Sequence, residues 1–273
     1  MGKTQSHSLK SLSAARRKCA LKTLEMYKKA NAGHIGSSLS CLEILVDLCF
    51  GRAKPEDFII LSKGHAAAGL YATLKLSGRL EQADLESFYR DGTSLAAHPP
   101  CTGIFESIPF GTGSLGHGLS LGIGLALSNR FTGKAFDVYV VLSDGDCNEG
   151  STWEAAAFAA HHRLSNLVVI VDLNSIQGFG RCGDVLDNER ITEKWRAFGF
   201  ETVEAENGNS FKSLHAAFQK IEGKPGPRCI IAKTTKGHGV SYMEDTVEWH
   251  YLPMSDEQYA QAVRETMELA DQR

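Results

Sequence analysis

The 273-residue sequence has no hydrophobic run that approaches the ~20 residues needed for a membrane-spanning helix. Its longest apolar runs are only as long as a buried strand. The opening stretch, MGKTQSHSLKSLSAARRKCA, lacks the apolar core of a secretory signal peptide. These absences argue against a membrane or secreted protein, and we expect a cytoplasmic location.

The cysteines are irregularly spaced along the chain. The seven cysteines include no Cys-x-x-Cys pair, and their number is odd. This usage argues against a disulfide framework and against a structural zinc site, and it is typical of a reducing compartment.

The sequence also lacks a block of basic residues, a repeat and a low-complexity tract. With a net charge of −3, the chain has none of the electrostatic features of a nucleic-acid-binding protein. Hydrophobic residues make up 42% of the chain, enough for a full core. We expect a single domain over residues 1–273, with a flexible tail at residues 1–8.

What the sequence does contain is a regular alternation of strand-like and helix-like segments. The apolar runs at 138–142 and 167–171 are continuous, as in strands buried on both faces. Further strands are predicted at 58–61, 200–203 and 229–232, and helices at 9–29, 37–50, from about 65, 115–129, 211–221 and 254–269. This pattern predicts an α/β fold with a doubly wound, mainly parallel sheet.

Residues 140–178 are the most informative segment. Asp144 follows one apolar run, and Asn174 follows the next, thirty residues later, which is about the length of one βαβ unit. Parallel strands joined by such a crossover end at the same edge of the sheet, where open α/β sheets bind ligands. Carboxylate and amide oxygens suit Mg²⁺, which completes its shell with phosphate oxygens and water. The segment therefore predicts a metal-held diphosphate, and Gly145 leaves room for that diphosphate.

This arrangement resembles the signature of thiamine diphosphate enzymes, Gly-Asp-Gly followed at a distance by Asn-Asn. Ser143 replaces the first Gly and Leu173 the first Asn, and neither departure removes an expected ligand. In the family a main-chain carbonyl two residues after the Asn is the third protein ligand, which implies the carbonyl of Ile176. The resemblance implies thiamine diphosphate and Mg²⁺ as cofactors, with Ca²⁺ or Mn²⁺ as alternative ions.

Five further segments resemble the transketolase branch of these enzymes. They are 32–40 (AGHIGSSLS), 61–66 (LSKGHA), 96–99 (AAHP), 111–118 (GTGSLGHG), and the C-terminal pair 233–239 (KTTKGHG) with 248–250 (EWH). The resemblance runs from about residue 12 to residue 251 and implies transfer of a two-carbon ketol unit from a ketose or its phosphate to an aldose or its phosphate. In the family the loop at 111–118 cradles the aminopyrimidine ring, which implies contacts from Gly113, Ser114 and Leu115.

Four of the ten histidines match transketolase positions that line the channel to the reactive carbon. The resemblance implies that His65 binds the diphosphate, that His98 binds the first hydroxyl of the donor, and that His34 and His250 move protons at the substrate, His250 also touching the cofactor. An imidazole suits proton transfer near neutrality. The other histidines are given no catalytic role: His117 is peripheral, His161 and His162 lie in the crossover helix, His215 lies on a surface helix, and His7 lies in the tail.

The resemblance also implies a partner. Glu149 and Glu154 match glutamates that lie at the subunit interface of transketolases. Fused transketolases are more than twice as long and carry a second domain, which provides the glutamate that protonates the aminopyrimidine and the arginines that grip a sugar phosphate. We therefore expect this chain to be the N-terminal subunit of a split transketolase, forming a heterotetramer with a separate C-terminal subunit.

Two alternatives remain open from the sequence. One is a subunit of another thiamine diphosphate enzyme, either deoxyxylulose-phosphate synthase-like or 2-oxoacid dehydrogenase-like. The other is a non-catalytic subunit that regulates its partner. The loop at 113–118 and the pair Trp249-His250 favour transketolase, and the intact metal ligands argue against a purely regulatory role.

Overall fold

A computed structural model describes residues 8–81, 84–101 and 103–269 of the chain. It contains five strands that form one parallel sheet and two short strands that form a hairpin. The sheet strands are β1 (Phe58–Leu61), β2 (Val138–Ser143), β3 (Leu167–Leu173), β6 (Glu201–Ala205) and β7 (Arg228–Lys233). The hairpin strands are β4 (Ile176–Gln177) and β5 (Gly180–Arg181). The predicted tail lies almost wholly outside the described residues, as does His7.

The described helices alternate with the strands along the chain. They are α1 (Leu9–Ala30), α2 (Ile35–Ser40), α3 (Leu42–Val46), α4 (Ala67–Leu76), α5 (Gly118–Thr132), α6 (Gly150–His161), α7 (Cys182–Val185), α8 (Ile191–Ala197), α9 (Phe211–Ile221) and α10 (Asp256–Glu268). Among the described residues, no helix is both long enough and apolar enough to cross a membrane.

The sheet has the strand order β1-β2-β3-β7-β6, and every neighbouring pair is parallel. The crossover from β2 to β3 contains α6 and places the carboxyl ends of these two strands side by side. Ser143 is in register with Asp172. Side chains of successive strand residues point to opposite faces, so each face receives its own apolar layer. Val141 and Ile170 pack under one group of helices, and Val140 and Val169 under the other.

The first apolar layer joins the sheet to α1–α4, α9 and α10. The second joins it to α5, α6 and α8. Both faces are therefore covered, which explains why the central strands are continuously apolar rather than alternating. The predicted α/β fold with a mainly parallel sheet is confirmed.

The structure differs from the sequence prediction mainly at helix starts. The single helix predicted at 37–50 is α2 followed by α3, which continues as a π-helical turn over Asp47–Arg52. Cys41, with φ −97° and ψ 9°, separates the two helices. His34 precedes α2 in the left-handed conformation and provides no side-chain cap. The helix predicted at 115–129 begins three residues later, at Gly118, because Gly116 has a positive φ of 83°.

Candidate active site

Asp144 and Asn174 lie at the carboxyl ends of the two central strands, as predicted. Asp144 is 2% exposed, and its Oδ1 accepts a hydrogen bond from the Gly145 N–H at 2.8 Å. Within the described structure its other oxygen, Oδ2, accepts no N–H or O–H hydrogen bond, and only the Cys182 thiol lies near the carboxylate as a weak donor. Burial, reinforced by the nearby Asp172 carboxylate, raises the pKa of Asp144 to about 6. A buried carboxylate oxygen without an N–H or O–H donor is what a bound cation would stabilise.

Asn174 and Ile176 supply the other two oxygens of the predicted metal site. The Asn174 Oδ1 accepts from the Ile176 N–H at 3.1 Å, a turn that requires the positive φ of 62° at Ser175. The Asn174 amide nitrogen donates to Ser40 Oγ at 3.3 Å, so the amide oxygen is the atom left to bind a further group. One carboxylate, one amide oxygen and one main-chain carbonyl form a hard-oxygen set that fits Mg²⁺.

A buried ion pair, which the sequence did not predict, lies next to this edge of the sheet. The Lys63 ammonium donates to the Asp172 carboxylate, and both side chains are fully buried. Lys63 also donates to the Ser37 carbonyl at 3.0 Å, while Ser40 Oγ donates to the same Asp172 at 2.6 Å. Burial disfavours the ammonium, but the charge of Asp172 and its hydrogen bond outweigh this and raise the pKa of Lys63. The only sequence signal was the position of Lys63 inside the segment 61–66.

The glycine-rich loop at 111–118 is fixed by Asp146, which also carried no predicted role. Asp146 is fully buried and accepts from the Gly116 N–H at 2.8 Å and from Ser62 Oγ at 2.6 Å. Its other oxygen accepts from the Ser143 N–H at 2.8 Å. One carboxylate thus ties the loop to the ends of β1 and β2, two residues beyond Asp144.

The predicted aminopyrimidine residues lie directly above this edge. A Cβ added at Gly145 would be 3.0 Å from Leu115 Cδ1, so Leu115 packs over the backbone where the diphosphate is expected. Gly113 has a φ of 140°, and a Cβ there would be 2.6 Å from the His98 ring. The loop can therefore approach His98 this closely only with glycine at position 113.

The structure brings the four predicted channel histidines together. The ring centroid of His34 lies 5.1 Å from that of His250, 5.5 Å from that of His65 and 6.1 Å from that of His98. The centroids of His65 and His250 are 5.3 Å apart. We call this group the four-histidine pocket. These four side chains come from loops up to 216 positions apart in the sequence, from 34 to 250.

All four imidazoles are held in their neutral form. Burial is the largest cause in each case and lowers the pKa of His34, His65 and His98. Burial and the neighbouring Lys236 ammonium lower the pKa of His250 to about 3. Neutral imidazoles can accept a proton from a substrate or donate a hydrogen bond to it near pH 7.

His250 is held from both sides. Its main-chain carbonyl accepts from the His34 N–H at 3.1 Å, and His34 adopts a left-handed φ of 73° to make that contact. Lys236, another residue without a predicted role, places Nζ 3.0 Å from His250 Nδ1 and donates to the Ile176 carbonyl at 3.3 Å. Burial and the charge of Lys63 lower the pKa of Lys236 to about 8.

In the described structure, His117, His161, His162 and His215 make no ring contact with this pocket. His117 is exposed, with Nδ1 3.2 Å from the Leu115 carbonyl. His161 is exposed at the end of α6, and the adjacent His162 stacks on Phe158 at 4.3 Å. His215 is more than a surface residue, because its Nε2 lies 2.7 Å from the buried Asp47 and so links α9 to the helix that follows α3.

Glu149 and Glu154 are both exposed at the start of α6. Glu149 lies against the glycine-rich loop, since a Cβ added at Gly116 would be 2.5 Å from Glu149 Cβ. Neither carboxylate forms an ion pair with the described part of the chain. Both are therefore available to another subunit, and their interface role stays a prediction.

The sequence and the fold of this chain are both similar to those of known proteins. The sequence profile described as "Transketolase, thiamine diphosphate binding domain" matches residues 12–271. This chain belongs to the transketolase family. The predicted resemblance, including the thiamine diphosphate-binding domain, is confirmed.

Relatives of this transketolase-family chain fall into two groups by length. One subunit of the apulose-4-phosphate transketolase of Phocaeicola vulgatus is 38% identical over 255 residues, which is 90% of each protein. The 6-deoxy-6-sulfo-D-fructose transketolase subunit SqwG of Clostridium sp. is 34% identical, over 89% of this chain and 91% of that protein. The solved transketolase from Leishmania mexicana superposes with a TM-score of 0.84 at 27% identity, over 96% of this chain but 42% of its own.

Proposed function

We propose that the chain is the N-terminal, thiamine diphosphate-binding subunit of a two-component transketolase. In this reaction a two-carbon ketol unit passes from a ketose phosphate to an aldose phosphate. The observation that carries the proposal is the buried Asp144 carboxylate, whose Oδ2 accepts no N–H or O–H hydrogen bond, at the sheet edge that Lys236 links to the four-histidine pocket through Ile176 and His250. A metal-held diphosphate and a proton-handling pocket are the two requirements of this chemistry.

The residues at the sheet edge would hold the cofactor. Asp144, Asn174 and the Ile176 carbonyl would bind Mg²⁺, and Gly145 and His65 would contact the diphosphate. The main chain of Gly113, Ser114 and Leu115 would face the aminopyrimidine ring. Thiamine diphosphate, when bound, supplies the nucleophilic carbon and the electron sink for breaking the carbon–carbon bond.

The four-histidine pocket would act on the sugar. His98 would bind the first hydroxyl of the donor, and His34 and His250 would move protons at substrate oxygens. Their lowered pKa values keep both imidazoles neutral at pH 7, so that each can accept or donate a hydrogen bond at a substrate oxygen. Lys236 would keep His250 oriented through its contact with Nδ1.

The rest of the active site would come from a second polypeptide. The similar proteins of the same length are named as transketolase subunits, which supports a separate partner that carries the pyrimidine-binding domain and the phosphate-gripping residues. We expect a heterotetramer with two active sites, with Glu149 and Glu154 at its interface. We further propose that residues 1–273 form one domain and that the enzyme is cytoplasmic.

The experiment is reconstitution. The chain is purified alone and co-expressed with its candidate partner, and Mg²⁺-dependent thiamine diphosphate binding is measured by calorimetry. Ketol transfer is then screened with pentose, hexose and heptose phosphates, and with the sugars for which the relatives are named, apulose 4-phosphate and 6-deoxy-6-sulfofructose. We expect weak cofactor binding and no turnover from the chain alone, and both tight binding and turnover from the complex.

Each alternative predicts a different result. Full transketolase activity of the isolated chain would contradict the two-component proposal. Tight cofactor binding by the complex, with decarboxylation of a 2-oxoacid in place of ketol transfer, would identify another class of thiamine diphosphate enzyme. A complex that forms but binds no cofactor would favour the regulatory role.

A further inference from the structure

The position of His98 depends on a part of the chain with little regular structure. In the described part of residues 77–117, regular structure is limited to a 3₁₀ turn at Leu85–Ser87 and an isolated bridge between Phe105 and Ile108. Within the described structure no hydrogen bond reaches the His98 imidazole, whose ring is confined on one side by Gly113. The backbone that carries His98 must therefore set where its ring stands.

That backbone is held by a single buried hydroxyl. Tyr71 lies on α4, is 0% exposed, and its hydroxyl is 2.8 Å from the His98 carbonyl and 3.0 Å from the Ala96 carbonyl. Burial raises the pKa of Tyr71, so the hydroxyl remains a donor at every working pH. Two carbonyls from an irregular segment therefore share the one hydroxyl hydrogen of Tyr71, a residue fixed in a core helix, with the shorter contact to His98.

The ring of Tyr71 is also held in place, by packing against an aromatic neighbour. Phe88 is 4% exposed and packs against Tyr71 with ring centroids 6.0 Å apart, at 67°. Phe88 begins the segment that leads to His98. The next residue, Tyr89, donates its N–H to the Leu95 carbonyl at 2.8 Å and so closes a loop. Both ends of the segment 88–98 are thus attached to one tyrosine.

We propose that Tyr71 is a positioning residue for His98: by holding the carbonyls of Ala96 and His98, it sets the place of the His98 imidazole in the four-histidine pocket. Its effect on turnover rests on the proposed function, in which His98 binds the donor ketose. Its effect on the His98 ring does not, and can be measured in the isolated chain.

The chain offers a matched control. Tyr27 on α1 is also buried, and its ring also packs against Phe88, with centroids 5.7 Å apart. Its hydroxyl, however, pairs with Ser38 Oγ at 2.8 Å and only distantly with the His65 carbonyl at 3.3 Å. Tyr27→Phe therefore removes the same group from the same aromatic cluster without releasing the His98 backbone.

The first test uses the reconstituted enzyme. Tyr71→Phe should raise the KM for the donor ketose about tenfold, the scale of one lost buried hydrogen bond, with thiamine diphosphate affinity unchanged within about twofold. Tyr27→Phe should leave the donor KM within about twofold of the wild-type value. The double variant Tyr71→Phe/His98→Ala should match His98→Ala alone, because a residue that acts through His98 has no effect once His98 is gone.

The second test uses the isolated chain with ¹³C-labelled histidine. The His98 ring resonance, identified by its loss in His98→Ala, should shift or broaden in Tyr71→Phe and stay in place in Tyr27→Phe. Melting temperatures of the two phenylalanine variants should agree within about 4 °C, which separates repositioning from general destabilisation. An unmoved His98 resonance, or additive effects on donor KM in the double variant, would overturn the proposal. Absence of ketol transfer by the wild-type complex would instead overturn the proposed function. The resonance test of the Tyr71–His98 contact would still be valid in that case.

Discussion

At the scale of single residues, Asp144 shows how a functional group can be recognised by what it lacks. Its oxygens lie at the end of a strand buried on both faces, and Oδ2 accepts no N–H or O–H hydrogen bond in the described structure. Such an atom destabilises the protein unless a ligand compensates it. The neighbouring Asp172 is equally buried but is paired with the Lys63 ammonium and accepts a hydrogen bond from Thr234, so the two carboxylates divide into one structural and one available group.

The first prediction concerns this available carboxylate. Asp144→Ala should weaken Mg²⁺-dependent thiamine diphosphate binding by about a hundredfold or more, because it removes the one anionic ligand of the site. Calorimetry of the reconstituted complex measures this loss. Asp184→Ala, at an exposed position on α7, is the control and should bind as the wild type does. Unchanged affinity in Asp144→Ala would refute the metal-site assignment.

The second prediction separates chemistry from binding. His250→Ala should lower turnover about 10²-fold, the usual scale for loss of a positioned proton-transfer group, while the cofactor stays bound. Steady-state kinetics at saturating cofactor, with cofactor content measured in parallel, distinguishes the two effects. Near-normal turnover would reduce His250 to a structural role, whereas a matching loss of cofactor would move it to the binding site.

At the scale of elements, α5 shows how glycine sets the distance between a helix and a sheet. A Cβ added at Gly122 would lie 2.5 Å from Val140 Cγ2 in the core, while one added at Gly124 would meet nothing within 4 Å. The two glycines are close together on the same helix but on different sides of it, so one faces the sheet and the other faces outward. This close approach also places the start of α5, and with it the glycine-rich loop, over the ends of β1 and β2.

The third prediction follows from that difference. Gly122→Ala should lower the free energy of unfolding by about 1–3 kcal/mol, because the core cannot take the added methyl without a shift. Gly124→Ala should raise it by about 0.5–1 kcal/mol, since alanine loses less conformational entropy in a helix. Chemical denaturation of the isolated chain measures both. Effects of equal sign would show that the α5–sheet contact is not the deciding factor.

At the scale of the whole molecule, the described helices divide unequally between the two faces of the sheet. Six helices pack over the first face and α5, α6 and α8 over the second, where α5 and α6 carry exposed aromatic side chains. Phe158 on α6 is 46% exposed there, and Phe131 near the end of α5 is 86% exposed. This is the surface expected for contact with the partner subunit.

The fourth prediction tests that surface. Gly124→Arg should leave the isolated chain folded, because the position opens to solvent, but it should reduce assembly with the partner, since an interface core tolerates an unpaired charge poorly. Gln219→Arg adds the same side chain on α9 and should assemble normally. Analytical ultracentrifugation of equimolar mixtures measures the association. Normal assembly of Gly124→Arg would place the interface elsewhere.

The sequence by itself determined the kind of fold and most of the proposed site. Strand-length apolar runs specify buried parallel strands, and a residue that directly follows such a run must lie at the sheet edge, so Asp144 and Asn174 were predictable from their local context. The four histidines were found through the motifs around them. The geometry brings their four rings into one pocket.

Only the tertiary structure decided what holds these residues in place. Lys63 reaches Asp172 across 109 positions, and Ser62 reaches Asp146 across 84. Lys236 meets His250, and Tyr71 supports His98, through contacts that follow from how the layers pack. No periodicity or short motif encodes a pairing between distant segments, because the same side chains would suit a solvated surface equally well. Their burial turns them into obligatory partners, and burial is a property of the folded chain as a whole.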